Sequence, residues 1–197
     1  MKRAFGFFLA AVLLMTAFAI LPIHGEEEVY ESVIRLHVLA NSDSEEDQAL
    51  KLLVRDAVLF DAQAILQDTK TCEEAEAVLT AHLDQLERTA AECLRQNGSA
   101  DPVTVTLGEE EYPTRVYENL AFPSGEYLSL RVMIGEAAGQ NWWCVLFPPL
   151  CLSAATTKHE AEEIFLSAGL TEQQYRIITD SDNTKYKLRF KILELFH

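Results

Sequence analysis

The chain has 197 residues, of which 49% are hydrophobic, enough to form one or two domains with a buried core. Its 31 acidic residues outnumber its 16 lysines and arginines, which gives a formal net charge of −15. A surface of this charge repels nucleic acid and anionic lipid headgroups, so we expect neither as a partner. A protein or a neutral polymer is the expected partner.

The first 25 residues have the form of an export signal. After a basic start, residues 4–20 are uncharged and apolar, and Ala17-Phe18-Ala19 has the small-x-small pattern of a signal-peptidase site. The apolar run is also long enough for an uncleaved anchor, since about 20 such residues span a bilayer. The signal-peptidase pattern favours a segment that is cleaved off over one that is kept as an anchor. We therefore predict residues 1–25 as the signal and residues 26–197 as one secreted globular domain.

A strand and a long helix open the predicted domain. Residues 33–39 alternate between an apolar face and a face that carries Arg35 and His37, which is typical of a half-buried strand. The helix is predicted from Ser44, where acidic residues crowd the first turn, to about Gln67. Its predicted core side has members three and four residues apart: Leu50, Leu53, Val54, Ala57, Phe60 and Ala64.

A second helix is predicted from Thr71 to about Gln96. Thr71 forms a capping box with Glu74, and Asn97-Gly98 provides the stop signal. Its apolar stripe is Cys72, Ala75, Leu79, Leu83, Leu86, Ala90 and Cys93.

The sequence then changes to a period of two. Alternation predicts strands over residues 103–107, 128–134 and 142–147. Residues 135–140 contain two glycines and have the length of a hairpin loop. We therefore expect the last two of these strands to be joined as a hairpin.

The segment from Asn141 to Cys151 concentrates bulky and rigid residues. It holds both tryptophans, two of the four cysteines and two of the six prolines. Both of its faces are apolar, which is typical of a buried central strand, and its two prolines end the strand. The alternative is a contact surface, because rigid aromatic and proline groups lose little entropy on docking. The residues predicted for this contact are Trp142, Trp143, Phe147, Pro148 and Pro149.

The four cysteines suggest one disulfide. A continuous second helix would hold Cys72 and Cys93 about 31 Å apart at 1.5 Å per residue, too far for a bridge. Cys144 and Cys151 enclose a short loop whose proline turn can bring the ends together. We predict that any disulfide joins these two, in a compartment where disulfides persist.

The rest of the chain completes the fold prediction. A third helix is predicted over residues 158–169 and a short turn capped by Thr171, while residues 186–196 fit either a strand or a helical turn. The order of elements predicts an α+β fold with a mixed or antiparallel sheet of about four to five strands. Two long helices and a shorter C-terminal helix would cover this sheet.

Candidate chemistry is sparse. The five histidines lack metal-ligand spacing, and no nucleophile motif occurs, so we expect no metal, no cofactor and no catalysis. A strand end and a helix start bring together the polar residues Arg35, His37, Asn41 and Asp43, which we predict to bind a partner. The alternative is a capped turn held by local ion pairs.

Several segments resemble the stage II sporulation protein R family of endospore-forming bacteria. They are residues 35–51, 54–58, 112–115, 122–127, 130–136 and 141–151. The resemblance implies a protein secreted by the forespore into the space between the two membranes. There it would activate a membrane-embedded aspartic protease of the mother cell, which matures a sigma factor. Two alternatives are a secreted peptidoglycan- or glycan-binding module that uses the tryptophans, and a secreted hydrolase.

Overall fold

The computed structural model describes residues 26–117, 120–149 and 158–179. The predicted export signal, Cys151 and the ambiguous segment 186–196 lie outside these residues. The helices are α1 (Glu26–Glu31), α2 (Glu45–Leu66), α3 (Cys72–Ala81), α4 (Leu83–Gln96), α5 (Lys158–Ser167) and α6 (Glu172–Thr179). The strands are β1 (Ile34–Leu39), β2 (Val103–Tyr112), β3 (Arg115–Tyr117), β4 (Leu120–Phe122), β5 (Gly125–Ile134) and β6 (Asn141–Phe147). The predicted α+β class is confirmed.

Four strands form a mixed sheet in the order β2-β5-β1-β6, and β3 and β4 form a separate two-stranded sheet. β1 runs parallel to β5 and antiparallel to β6. β1 is buried on both faces rather than half-buried as predicted, which suits its place inside the sheet. Among the described strands, the tryptophan-rich β6 lies at the edge of the sheet and not at its centre as predicted.

The loop over residues 135–140 is a crossover and not the predicted hairpin, because β1 lies between β5 and β6. The loop passes over the end of β1, where Ala138 donates to the Asn41 carbonyl at 3.2 Å and Gly139 donates to the Ala40 carbonyl at 3.0 Å. A side chain at Gly139 would collide with the Ser42 carbonyl, so this close approach requires glycine.

The helix α2 begins as predicted but faces the core with another side. Ser44 caps it by accepting the backbone N–H of Asp47. Its buried residues are Lys51, Val54, Val58, Leu59, Ala62 and Leu66. Of the predicted core side only Val54 is buried, and Phe60 is 79% exposed. The predicted side is wrong because α2 is apolar on two opposite sides, and periodicity alone does not show which of them faces the core.

The predicted second helix is two helices, with the break at His82. The His82 backbone lies outside the helical region at φ −115° and ψ 11°, and its carbonyl accepts the N–H groups of Gln85 and Leu86 at the start of α4. The predicted caps at Thr71 and Gly98 are confirmed. The buried stripe then continues through Leu79, Leu86, Ala90 and Leu94 against the sheet.

A second core lies on the sheet face away from α2, α3 and α4. There α1, the β3–β4 hairpin, α5 and α6 cover one end of the sheet. Its buried members are Val29, Val33, Tyr112, Phe122, Tyr127, Val145, Phe165, Leu170, Tyr175 and Ile178. No helix among the described residues is long and apolar enough to cross a membrane.

Candidate functional site: an arginine–aromatic face

Pairing between strands gathers polar and aromatic side chains on the sheet face that bears the second core. Arg35 and His37 point to this face because Ile34, Leu36 and Val38 pack against the helices on the other. In register with His37 are Arg131 on β5 and Trp143 on β6. We call the following set the arginine–aromatic face: Arg35, His37, Thr106, Glu110, Tyr112, Arg115, Tyr117, Arg131 and Trp143.

Arg35 is the largest fully buried side chain of the described residues and has no carboxylate partner among them. Its Nη2 donates to the Tyr117 hydroxyl at 2.8 Å. Its guanidinium lies 4.6 to 5.7 Å from the ring centres of Tyr112, Phe122, Tyr127 and Tyr117. The negative faces of these rings offset part of the cost of burying the charge.

Burial raises the pKa of the Tyr112 and Tyr117 hydroxyls, so both remain protonated near neutral pH. Tyr112 shares a hydrogen bond of 2.7 Å with Ser129. Tyr117 donates to the Trp143 carbonyl at 3.2 Å while it accepts from Arg35. The Tyr112 hydroxyl therefore links β2 to β5 within the main sheet, and the Tyr117 hydroxyl ties the β3–β4 hairpin to the face of that sheet.

His37 forms the one contact with an acid on the face. Its Nδ1 lies 2.9 Å from Glu110 Oε1, a carboxylate oxygen that accepts the hydrogen bond. The His37 ring also packs against Trp143, with 5.3 Å between the ring centres. The Arg115 guanidinium lies 3.7 Å from the Trp143 ring centre. Trp143 therefore contacts both a histidine and an arginine.

Every buried side-chain polar atom without a hydrogen-bond partner among the described residues belongs to this face. These seven atoms are Arg35 Nε and Nη1, His37 Nε2, Thr106 Oγ1, Glu110 Oε2, Arg115 Nε and Arg131 Nε. Native proteins leave few such atoms unsatisfied, and their concentration in one place calls for a physical cause.

Asn41 and Asp43 lie at the end of β1, where they hold the crossover loop. Asn41 Oδ1 accepts the Glu136 backbone N–H at 3.0 Å, and Asp43 Oδ1 accepts that of Gln140 at 2.7 Å. Hydrogen bonds from the side chains of Ser42 and Asn41 lower the pKa of Asp47. This cluster is the capped turn of the alternative interpretation, held by hydrogen bonds and not by the expected ion pairs. The structure thus separates Asn41 and Asp43 from Arg35 and His37, and their predicted contact with a partner stays a prediction.

The other residues predicted for partner contact are dispersed. Trp142 points to the helix face, is 36% exposed and lies under the Arg55 guanidinium at 4.2 Å. Phe147 and Pro148 are buried, with Phe147 in the core under the helices. Pro149 is exposed and lines a groove with Leu66 and Ile164. Trp143 alone of these five lies on the arginine–aromatic face, and whether any of them contacts a partner stays a prediction.

The sequence-based site omitted six residues of the face: Thr106, Glu110, Tyr112, Arg115, Tyr117 and Arg131. Arg131 is the one charged residue between Leu128 and Ile134, which was a usable signal. Glu110 had none, because it lies 73 residues from His37 in the chain.

Cys72 and Cys93 are free thiols on α3 and α4. The prediction that they do not pair is confirmed, although the continuous helix on which it was based does not exist. Cys144 is buried on β6, and its predicted partner Cys151 lies outside the described residues. The disulfide therefore stays a prediction. No group of acids, histidines and cysteines suited to a metal ion occurs within the described ranges.

These features define a small α+β protein whose most unusual surface is a cationic, aromatic sheet face. The family model for stage II sporulation protein R matches residues 30–157, a span that contains the whole face, and the chain belongs to this family. It is 40% identical to stage II sporulation protein R of Bacillus subtilis (strain 168) over 152 residues. This aligned region covers 76% of this chain and 68% of that protein. No solved structure matches the chain.

Proposed function

We propose that this chain is an exported signalling protein of sporulation that activates a membrane-embedded aspartic protease. In this proposal the forespore secretes it into the space between the two membranes, and the protease of the mother cell then processes a pro-sigma factor. Membership of the stage II sporulation protein R family supports the role in sporulation. The export pattern of residues 1–25 supports secretion.

The observation that carries a binding role is the arginine–aromatic face. It combines Arg115, Arg131 and Trp143, which are partly exposed, with polar atoms that lack partners among the described residues. Arginine and tryptophan are the residue types that most often dominate interface energies. A partner would contact the exposed parts of Arg115, Arg131 and Trp143.

The glycan-binding alternative has less support. A stacking platform needs free tryptophan faces, yet guanidinium groups lie over Trp142 at 4.2 Å and over Trp143 at 3.7 Å. The two rings also point to opposite faces of the sheet and cannot stack on one sugar chain. The hydrolase alternative would show an acid pair or a triad in a cleft, whereas Glu110 is the single carboxylate of the face and contacts His37.

Reconstitution tests the proposal. The full chain, the membrane protease and the pro-sigma factor would be co-expressed in a host that lacks sporulation proteins. Cleavage should require both the chain and an intact protease, and N-terminal sequencing of the exported chain should find a start between Ile20 and Glu26. Cleavage at the same rate without the chain would refute activation.

A further inference from the structure

We propose that the arginine–aromatic face binds a carboxylate side chain on an acidic peptide segment of the protein partner. This deepens the proposed function, on which it rests for the identity of the partner but not for the chemistry of binding. The ligand would lie against Arg115 and Arg131, beside Trp143.

The charge of the face favours an anionic ligand. Arg35, Arg115 and Arg131 meet on this face, while its single carboxylate, Glu110, contacts His37. None of the three arginines forms an ion pair with any described residue. The face is therefore a local cationic site on a protein that elsewhere repels acidic ligands.

Most of the unpartnered polar atoms on the face are hydrogen-bond donors. Four of the seven, Arg35 Nε and Nη1, Arg115 Nε and Arg131 Nε, can only donate. One, Glu110 Oε2, can only accept when ionised, and His37 Nε2 and Thr106 Oγ1 can adapt. These seven atoms are enclosed, so a ligand would meet the outer guanidinium nitrogens of Arg115 and Arg131, which can only donate. A carboxylate offers two oxygens with about four acceptor sites and no donor.

The exposure of the side chains indicates which of them a ligand would reach. Arg35 and His37 are buried, whereas Arg115, Arg131 and Trp143 are partly exposed. Strand pairing puts Arg131 and Trp143 on either side of His37. A ligand would therefore meet Arg115 and Arg131 directly, while the buried Arg35 contributes its charge and holds Tyr117 in place.

A peptide carboxylate fits better than a phosphate-bearing surface. Membranes and nucleic acids present dense arrays of negative charge, which a chain of net charge −15 repels as a whole. A single acidic side chain needs only the local cationic site, and the aromatic groups beside it suit the apolar stem of a glutamate. Free phosphate is also an anion, and a separate titration with inorganic phosphate distinguishes it from a peptide carboxylate.

Nuclear magnetic resonance of the arginine Nε–H groups tests the proposal directly. The exported chain, labelled with ¹⁵N, would be titrated with a capped pentapeptide that has a central glutamate, with its glutamine counterpart and with inorganic phosphate. Arg115→Gln and Arg131→Gln assign the signals, and Arg95→Gln is the matched control, because Arg95 is exposed on α4 and bonds to Glu92.

We expect the glutamate peptide to shift the signals of Arg115 and Arg131 saturably, with a Kd on the order of 1 mM for so small a ligand. The glutamine peptide should bind at least about tenfold more weakly, and Arg131→Gln should abolish the shifts while Arg95→Gln leaves them unchanged. Signals that do not respond, equal shifts with both peptides, or equal binding of phosphate would each overturn the assignment. The titration needs no protease, so its failure is distinguishable from a failure of activation.

Discussion

Two adjacent residues of α2 give a sharp test of which side of this helix faces the core. Leu59 is 1% exposed and Phe60 is 79% exposed. Leu59→Ala should lower the free energy of unfolding by about 2–5 kcal/mol, because it removes buried contacts and leaves a cavity. Phe60→Ala should change it by no more than about 0.5 kcal/mol, since the ring already meets solvent.

Thermal melts of the chain purified from an export-competent host would measure both effects. In a chain of this length about 1 kcal/mol shifts the melting temperature by roughly 2–4 °C. Leu59→Ala should therefore melt roughly 4–20 °C below the parent, and Phe60→Ala within about 2 °C of it. Equal losses in the two variants would refute the orientation of α2 and favour the core assignment of Phe60 that periodicity gave.

Three further predictions follow from the polar turn and the cysteines. Asn41→Ala should lower the free energy of unfolding by about 1–2 kcal/mol, because it leaves the Glu136 backbone N–H of the crossover loop without its acceptor. An unchanged urea melt would contradict this. Hydrogen bonds from Ser42 and Asn41 lower the pKa of Asp47, so the stabilisation is present above the ordinary aspartate pKa and is lost as the pH falls through the folded value. Asp47→Asn should remove this acid-side loss from a stability–pH curve, and curves of identical shape would show that Asp47 does not contribute. Peptide mapping without reduction should recover Cys144 linked to Cys151, and two free thiols would disprove that pairing.

Local signals in the sequence were sufficient for the ends of the helices. Ser44 and Thr71 cap α2 and α3 as predicted, and Gly98 follows α4 with the positive φ of 82° that a helix stop requires. These features depend on residues three or four positions apart, which the sequence shows directly.

The faces of the elements and their order in the sheet required information that is not local. Leu53 and Phe60 repeat at helical spacing as regularly as Val58 and Ala62 do, so the pattern could not decide which side meets the sheet. The insertion of β1 between β5 and β6 depends on pairing over about 100 residues of chain. A short glycine-containing loop was therefore mistaken for a hairpin.

Part of the candidate site could be predicted from the sequence, and part depends on tertiary contacts. Arg35, His37 and Trp143 stood out as unusual residues on their strands, and the structure brings them together. Glu110 and Arg115 complete the face only because β2 pairs with β5 and the β3–β4 hairpin folds over the sheet. Their contribution depends on tertiary contacts, which composition and spacing do not contain.

The central claim is that the chain activates a membrane protease through the arginine–aromatic face. The most direct measurement is the initial rate of pro-sigma factor cleavage in the reconstituted host, with Arg131→Gln compared with Arg95→Gln and with the melting temperature of each variant. The account predicts that Arg131→Gln loses most of the activation and melts close to the parent, while Arg95→Gln keeps both. An Arg131→Gln chain that activates cleavage at the parent rate would contradict it.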